Sequence, residues 1–301
     1  REELLKHADT AMYEAKNAGR GSYRFFSPEM NRQVQERLVM GAALKESLGL
    51  GHLALRYQPQ IRGEDGGLHG VEALARWSHP RFGDVPPAKF IALAEETGLI
   101  EAIGEWAISE ACRQMADWRA RGVAIPTVSV NLSPMHFRNP KLPELVTVAL
   151  ESSGLSADAL TLEITEGVMM DSCAGTRATV EAVAHLGVRL SLDDFGTGYS
   201  SLSSISTLPI EEIKLDRSFV RDLQNDKNAR AVASAVIRIG QSLGLTVVAE
   251  GVETEPQRRF LQALDCHVMQ GFLFAPALTA PDLEHWLLER AVTLSPIAHV
   301  A

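Results

Sequence analysis

From about Leu53 onward the chain repeats one order, a short apolar segment followed by an amphipathic helix, and this repeat restricts its fold more than any other feature. The strand-like segments are 53–58, 70–77, 127–131, 161–165, 189–193, 212–215, 246–249 and 266–269. Helical periodicity fills intervals such as 103–121, 175–186, 229–243 and 255–264. Most of the segments read as apolar runs, the pattern of parallel strands covered by helices. Eight such strands specify an α/β fold, a TIM-type (β/α)8 barrel rather than a Rossmann sheet. Only residues 63–70 separate the first two strands, too few for a helical crossover, so the first strand is expected to run antiparallel to the rest.

A length of 301 residues suits one barrel of this type. No apolar run approaches the ~20 residues of a membrane-spanning helix, and no signal-peptide pattern opens the chain. The sequence starts at Arg1 without a methionine, as expected of an excised fragment, and that leaves room upstream for a sensor or membrane anchor. Cys112, Cys173 and Cys266 are widely spaced, which argues against a zinc site or disulfide framework and suits a cytoplasmic domain. A net charge of −9 argues against a nucleic-acid polymer as partner. It leaves a small anionic ligand open, because bound cations reverse the sign of an acidic site.

The first 30 residues differ in character. Leu4, Leu5, Ala8, Met12 and Ala15 share a helical face, Asn17-Ala18-Gly19 offers a stop, and 22–26 reads as a strand. One helix and one strand cannot bury a core, so 1–29 reads as the tail of a severed domain. Residues 30–50 read as a linker helix, 51–292 as the barrel and 293–301 as a tail.

Polar residues recur at the C-terminal ends of the apolar segments: Asn131, Glu163 and Glu166, Asp193 and Asp194, Lys214 and Asp216, Glu250, and Gln270. Glu72 is the exception and lies within its strand. A single acid there is ordinarily a helix cap. Six or more strands delivering polar groups to one end are what a barrel active site requires. Carboxylates plus one amide oxygen, with no histidine or cysteine, are hard donors suited to Mg²⁺ or Mn²⁺. Two such ions about 4 Å apart would neutralise the acids and suit attack on a phosphodiester. Lys214 reads as a residue that positions or deprotonates water, or stabilises phosphate charge; its plainer reading is a structural ion pair.

Several other features carry less. Asp194-Phe195-Gly196 spells the kinase metal motif, but no Gly-rich strand loop or H-R-D loop accompanies it. The nine histidines lack H-x-x-x-H spacing, and Ser200, Ser201, Ser203 and Ser204 lack a G-x-S-x-G setting. Tyr23, Phe25 and Phe26 are expected to pack in a strand rather than to stack on bases.

Taken together, Tyr57-Gln58-Pro59, Glu72-Ala73-Leu74 within 71–77, Val130-Asn131-Leu132-Ser133, Glu163-Ile164-Thr165-Glu166, the 193–202 aspartate segment, Lys214-Leu215-Asp216, Ala249-Glu250-Gly251-Val252-Glu253 and Gln270-Gly271-Phe272 resemble the EAL-domain family of cyclic di-GMP phosphodiesterases. The likeness runs from about Met30 to Leu288. It implies metal-dependent hydrolysis of cyclic di-GMP to linear pGpG, with two Mg²⁺ or Mn²⁺ per site, and Ca²⁺ binding without turnover. Glu72, Asn131, Glu163 and Asp193 would hold one ion, and Asp193, Asp194 and Glu250 the other. Lys214 would contact the nucleophilic water, Gln270 would support it, and Glu166 would anchor the 193–202 segment, a role linked to dimerisation. Gln58, Leu74 and Arg76 would touch substrate, Arg76 through phosphate, with Asp216 and Glu253 as supporting acids. A homodimer is implied. The alternatives are a cyclic di-GMP receptor with little catalysis, or an unrelated barrel acting on sugar phosphates.

Departures are few: Gly167 stands where a hydroxyl residue is usual, Gln60 replaces an aliphatic, and the proline of Phe274-Ala275-Pro276 is unusually placed. Ala8-Asp9-Thr10-Ala11-Met12-Tyr13-Glu14-Ala15-Lys16 with Gly19-Arg20 resembles the end of a GGDEF domain, without that domain's signature. A GGDEF–EAL tandem is the implied parent.

Overall fold

A computed structural model describes residues 7–8, 11–12, 23, 25–170, 173–196 and 208–294. Leu4, Leu5, Ala15, the 17–19 stop and most of the 8–20 motif lie outside the described residues, as do 197–207 with their serines. Of the strand expected at 22–26, residues 22 and 24 lie outside the described residues, and Tyr23, Phe25 and Phe26 are not in a strand. Tyr23 and Phe25 are exposed rather than packed, and Phe26 stacks on His7 at 3.7 Å, there being no ladder partner among the described residues.

Nine strands are assigned among the described residues: β1 Leu53–Arg62, β2 Leu68–His79, β3 Gly83–Val85, β4 Val128–Leu132, β5 Leu160–Thr165, β6 Arg189–Phe195, β7 Glu212–Leu215, β8 Thr246–Ala249 and β9 Val268–Met269. The chain forms two compact units, one of 54–76 with 100–301 and one of 1–53 with 77–99.

In the larger unit eight strands close in the order β1-β9-β8-β7-β6-β5-β4-β2, with β2 pairing back to β1. Strands β2 and β4 to β9 are parallel, and β1 runs antiparallel to β9, Ile61 facing Met269. This is the expected TIM-type barrel with its first strand reversed. The alternation of side chains along these strands differs from expectation in an informative way. Outward positions such as Val128, Val130, Leu160, Leu162, Ile164, Leu190, Leu192, Ile213 and Leu215 are apolar and join one core with Ile108, Trp118, Val146, Val183, Ile237 and Leu261 of the helices. The intervening positions, Thr127, Ser129, Thr161, Glu163, Ser191, Glu212 and Lys214, are buried and polar. The strands therefore alternate rather than running apolar throughout, because only one face meets the helices while the other lines a polar interior.

Close packing is visible at Gly240 of helix Lys227–Leu243, where a Cβ would lie 2.3 Å from Val247 Cγ2 of β8. In the smaller unit, helix Pro28–Leu50 is capped by Ser27, whose side chain accepts from the Met30 N–H, and ends at Gly51 with φ 72°. Its Ser47 Oγ accepts from Trp77 Nε1 at 2.8 Å. Trp77 also packs on Phe90 of helix Pro87–Thr97. Among the described residues no helix is long and apolar enough to cross a membrane.

Candidate active site

The polar interior is most concentrated around Lys214. Inward positions on β7 and β5 bring Lys214 and Glu163 together, with β6 between them. Lys214 Nζ lies 2.6 Å from Glu163 Oε2, 2.6 Å from Glu250 Oε1, 3.3 Å from Glu72 Oε1 and 3.5 Å from Asp193 Oδ1, and the side chain is buried. Asn131 Nδ2, on β4, donates to Glu72 Oε1 at 2.6 Å, and Gln270 Nε2 donates to Glu72 Oε2. Gln270 Nε2 also reaches Gln58 Oε1 at 3.1 Å, while Gln58 Nε2 donates to the Ala275 carbonyl at 3.0 Å. Glu72 comes from the middle of its strand, as its sequence position indicated, because β2 is twelve residues long and outruns its neighbours.

One ammonium cannot balance four carboxylates, and their ionisation divides accordingly. Burial opposes charge on Glu72, but Lys214 and the amide donors outweigh it and hold the carboxyl below its usual range. Burial and the Glu72 charge push Glu163 well above the ordinary carboxylate range. Burial likewise carries Glu250 up to about 8, against the opposing pull of Lys214. For Lys214 burial favours the neutral amine, yet the acids around it win and keep the ammonium.

Asp193 and Asp194 stand where β6 departs from regular pairing. The β6–β7 register shifts between Leu192 and Phe195, and Asp194 adopts φ 56°. Left-handed backbone at a non-glycine residue is tolerated best by Asp and Asn, and here it accompanies the register break at two consecutive carboxyls. Burial and the neighbouring Asp193 raise the Asp194 carboxyl. Glu166 opens the short helix Glu166–Met170 after β5, and its Oε1 accepts from the Gly196 N–H at 3.0 Å. Gly196 has φ 97°, and a Cβ there would meet Phe219 at 3.2 Å.

Leu74 and Arg76 are half-buried and lie on the inward face of β2, two and four residues beyond Glu72. Asp216 caps helix Arg217–Arg221, its Oδ1 accepting from the Ser218 N–H at 3.0 Å. Glu253 is exposed, and its N–H donates to Gln257 Oε1. These two acids stand outside the hydrogen-bonded ring around Lys214.

Sequence reasoning passed over a second polar group lower in the barrel. Ser191 Oγ donates to Glu212 Oε1 at 2.7 Å, and His69 Nε2 lies 3.2 Å from Glu212 Oε2. Strict alternation along β6 and β7 was the signal that could have found Ser191 and Glu212. On β1, Gln60 is buried with both amide atoms unpartnered.

The ring fits divalent cations in donor chemistry. All of its ligand-type atoms are carboxylate or amide oxygens, and Glu163 Oε1 and Gln270 Oε1 are buried without a hydrogen-bond partner. Among the described residues no three acidic, histidine or cysteine side chains already form a ligand cage, since the carboxyls are drawn to Lys214. A cation would compete with that ammonium for them.

The family model for the EAL domain matches residues 42–277. The oxygen sensor protein DosP of Escherichia coli is 50% identical over 288 residues, covering 95% of this chain and 36% of that protein. MucR of Pseudomonas aeruginosa, a bifunctional diguanylate cyclase/cyclic di-GMP phosphodiesterase, is 44% identical over 94% of this chain and 41% of its own length. The chain thus spans well under half of these curated relatives. A solved MucR phosphodiesterase in complex with c-di-GMP superposes with TM-score 0.77 at 43% identity, covering 80% of this chain and 98% of that one. A family model spanning most of the barrel, joined to a closed eight-stranded fold and a carboxylate ring built on the Glu72-Ala73-Leu74 strand, places this chain in the EAL domain family.

Proposed function

We propose that this barrel hydrolyses cyclic di-GMP to linear pGpG. The observation that carries the reading is the convergence of Glu72, Glu163, Asp193 and Glu250 on the buried Lys214. Similarity to MucR, whose structure is a phosphodiesterase complexed with c-di-GMP, supports the choice of substrate.

In this reading Glu72, Asn131, Glu163 and Asp193 would hold one Mg²⁺ or Mn²⁺, and Asp193, Asp194 and Glu250 a second. When bound, such a pair would supply Lewis acidity and lower the pKa of water at the site. The chain's own groups do the rest. Lys214, a three-donor ammonium, donates to the attacking water or to a non-bridging phosphate oxygen. A ring carboxylate accepts the water's proton. The new bond joins the water oxygen to phosphorus, the P–O3′ bond breaks, and the departing O3′ takes up a proton. Gln270 and Asn131 fix Glu72 by donating to both of its oxygens. Glu166 ties the Gly196 end of the aspartate segment to the barrel. Gln58, Leu74, Arg76, Asp216 and Glu253 are the proposed substrate contacts.

The wider organisation is part of the same proposal. Residues 51–292 form the catalytic domain, 30–50 a connecting helix, 1–29 the end of a GGDEF-type domain and 293–301 a tail. The domain acts as a homodimer on the cytoplasmic side, downstream of a GGDEF-type domain.

Incubation with cyclic di-GMP and Mg²⁺ or Mn²⁺ should yield pGpG, and EDTA or Glu72→Ala should abolish it. No product at high enzyme concentration with metal present overturns the reading. Tight binding with the nucleotide left intact would assign the domain as a receptor instead.

A further inference from the structure

Arg56 belongs to none of the motifs that resemble the EAL family, yet the strand register places it at the mouth of the barrel. Strand β1 is antiparallel to β9, with Arg62 opposite Val268 and Ile61 opposite Met269. Each step back along β1 therefore climbs toward the end where Gln270 and the carboxylates lie. Tyr57 and Leu55 face outward into the helical core, Tyr57 edge-on to Trp118. Gln58 faces inward, as its bond from Gln270 shows. Alternation puts Arg56 on the Gln58 face, one level nearer the opening. On the adjoining strand β2 the same alternation runs from Glu72 through Leu74 to Arg76, also toward the opening. Two guanidinium groups thus lie on neighbouring strands above the acidic ring.

Neither has the partner such a charge normally has. Both are half-buried, and among the described residues no carboxylate is paired with either; Arg76 donates only to the carbonyl of Ala75. Burial and then the like charge of Arg56 press the Arg76 guanidinium below its usual range, against a smaller opposing pull from Glu72, which makes no ion pair with it. Holding two half-desolvated cations side by side is unfavourable until an anion lies between them. A cyclic dinucleotide carries two phosphodiesters. With one at the carboxylate ring, the other is left without positive charge unless the rim supplies it.

We propose that Arg56 and Arg76 form a two-guanidinium subsite for the phosphodiester that is not being cleaved, making Arg56 a further substrate-binding residue. This rests on the cyclic di-GMP reading above. Arg56 contacts the substrate before and during the reaction equally, so its contribution falls on binding rather than on the chemical step.

The test is steady-state hydrolysis of cyclic di-GMP by wild type, Arg56→Gln and Arg56→Lys at several salt concentrations, with thermal melts of each. Arg56→Gln should raise KM about tenfold with kcat within about twofold. It should also flatten the salt dependence of kcat/KM, and it should melt with the wild type. Arg56→Lys should fall between, because a point charge keeps attraction but loses the fork. A wild type that cleaves cyclic di-GMP, with Arg56→Gln unchanged in KM, overturns the subsite and leaves the function standing. A wild type that neither binds nor cleaves cyclic di-GMP overturns both.

Discussion

The barrel holds two buried polar clusters, and their difference separates chemistry from stability. Near the C-terminal ends of the strands, four carboxylates crowd one ammonium, and Glu163 Oε1 stays unpartnered. Lower in the interior, Glu212 alone accepts from Ser191 at one oxygen and faces His69 at the other. The first cluster has excess negative charge and unmet acceptors; the second is locally satisfied. Barrel enzymes place reacting groups at the first position and stabilising ones at the second. An arrangement that is poor for the empty fold is what a cation site needs.

The comparison can be broken most directly by activity. Glu163→Gln should lower cyclic di-GMP turnover about a thousandfold, while Glu212→Gln should stay within about threefold, because only the upper acid belongs to the proposed reacting centre. Equal losses in a pGpG assay would erase the distinction. Next in size is the charge balance itself. Lys214→Met leaves buried acids without a counter-ion, and denaturant unfolding in EDTA should show about 3 kcal/mol less stability. Mn²⁺ should restore part of that loss in the variant.

Cation binding offers a third contrast. Mg²⁺ or Mn²⁺ at a hundred times its dissociation constant should stabilise the wild type by about 2.7 kcal/mol. The same shift in melting should persist in Glu212→Gln and vanish in Glu163→Gln. Smaller still is the effect of Gln60, whose amide is buried without partners. Gln60→Leu should be neutral or stabilise by about 1 kcal/mol with turnover unchanged, since it removes a desolvated amide and costs no hydrogen bond. A marked loss of stability would show that buried water satisfies the amide. The subtlest readout is the proton. Glu250, raised to about 8, is mostly protonated at pH 7, so a cation bound there must displace the proton. Calorimetry in buffers of different ionisation enthalpy should detect proton release at pH 7, shrinking as the pH rises past 8 and absent in Glu250→Gln.

Much of this was legible in the chain. The strand–helix rhythm specified the barrel, and the 63–70 interval specified the reversed first strand, because both follow from local periodicity and connection length. Segments 212–215 and 246–249 coincide with β7 and β8. The acids at the strand ends could be named as one site because a parallel barrel brings those ends together whatever its details. At 23, 25 and 26 the aromatic residues are outside any strand, because pairing is a property of partners and not of a segment.

The carboxylate ring itself, in composition and hardness, was thus determined by sequence. Tertiary structure alone decided which acids share Lys214, that Asp194 turns through a left-handed backbone, and that Asp216 caps a helix. It also decided that Arg56 stands beside Arg76. The reason is physical: alternation and turn chemistry are short-range and written residue by residue, whereas charge balance depends on cross-barrel distances that exist only once the sheet has closed.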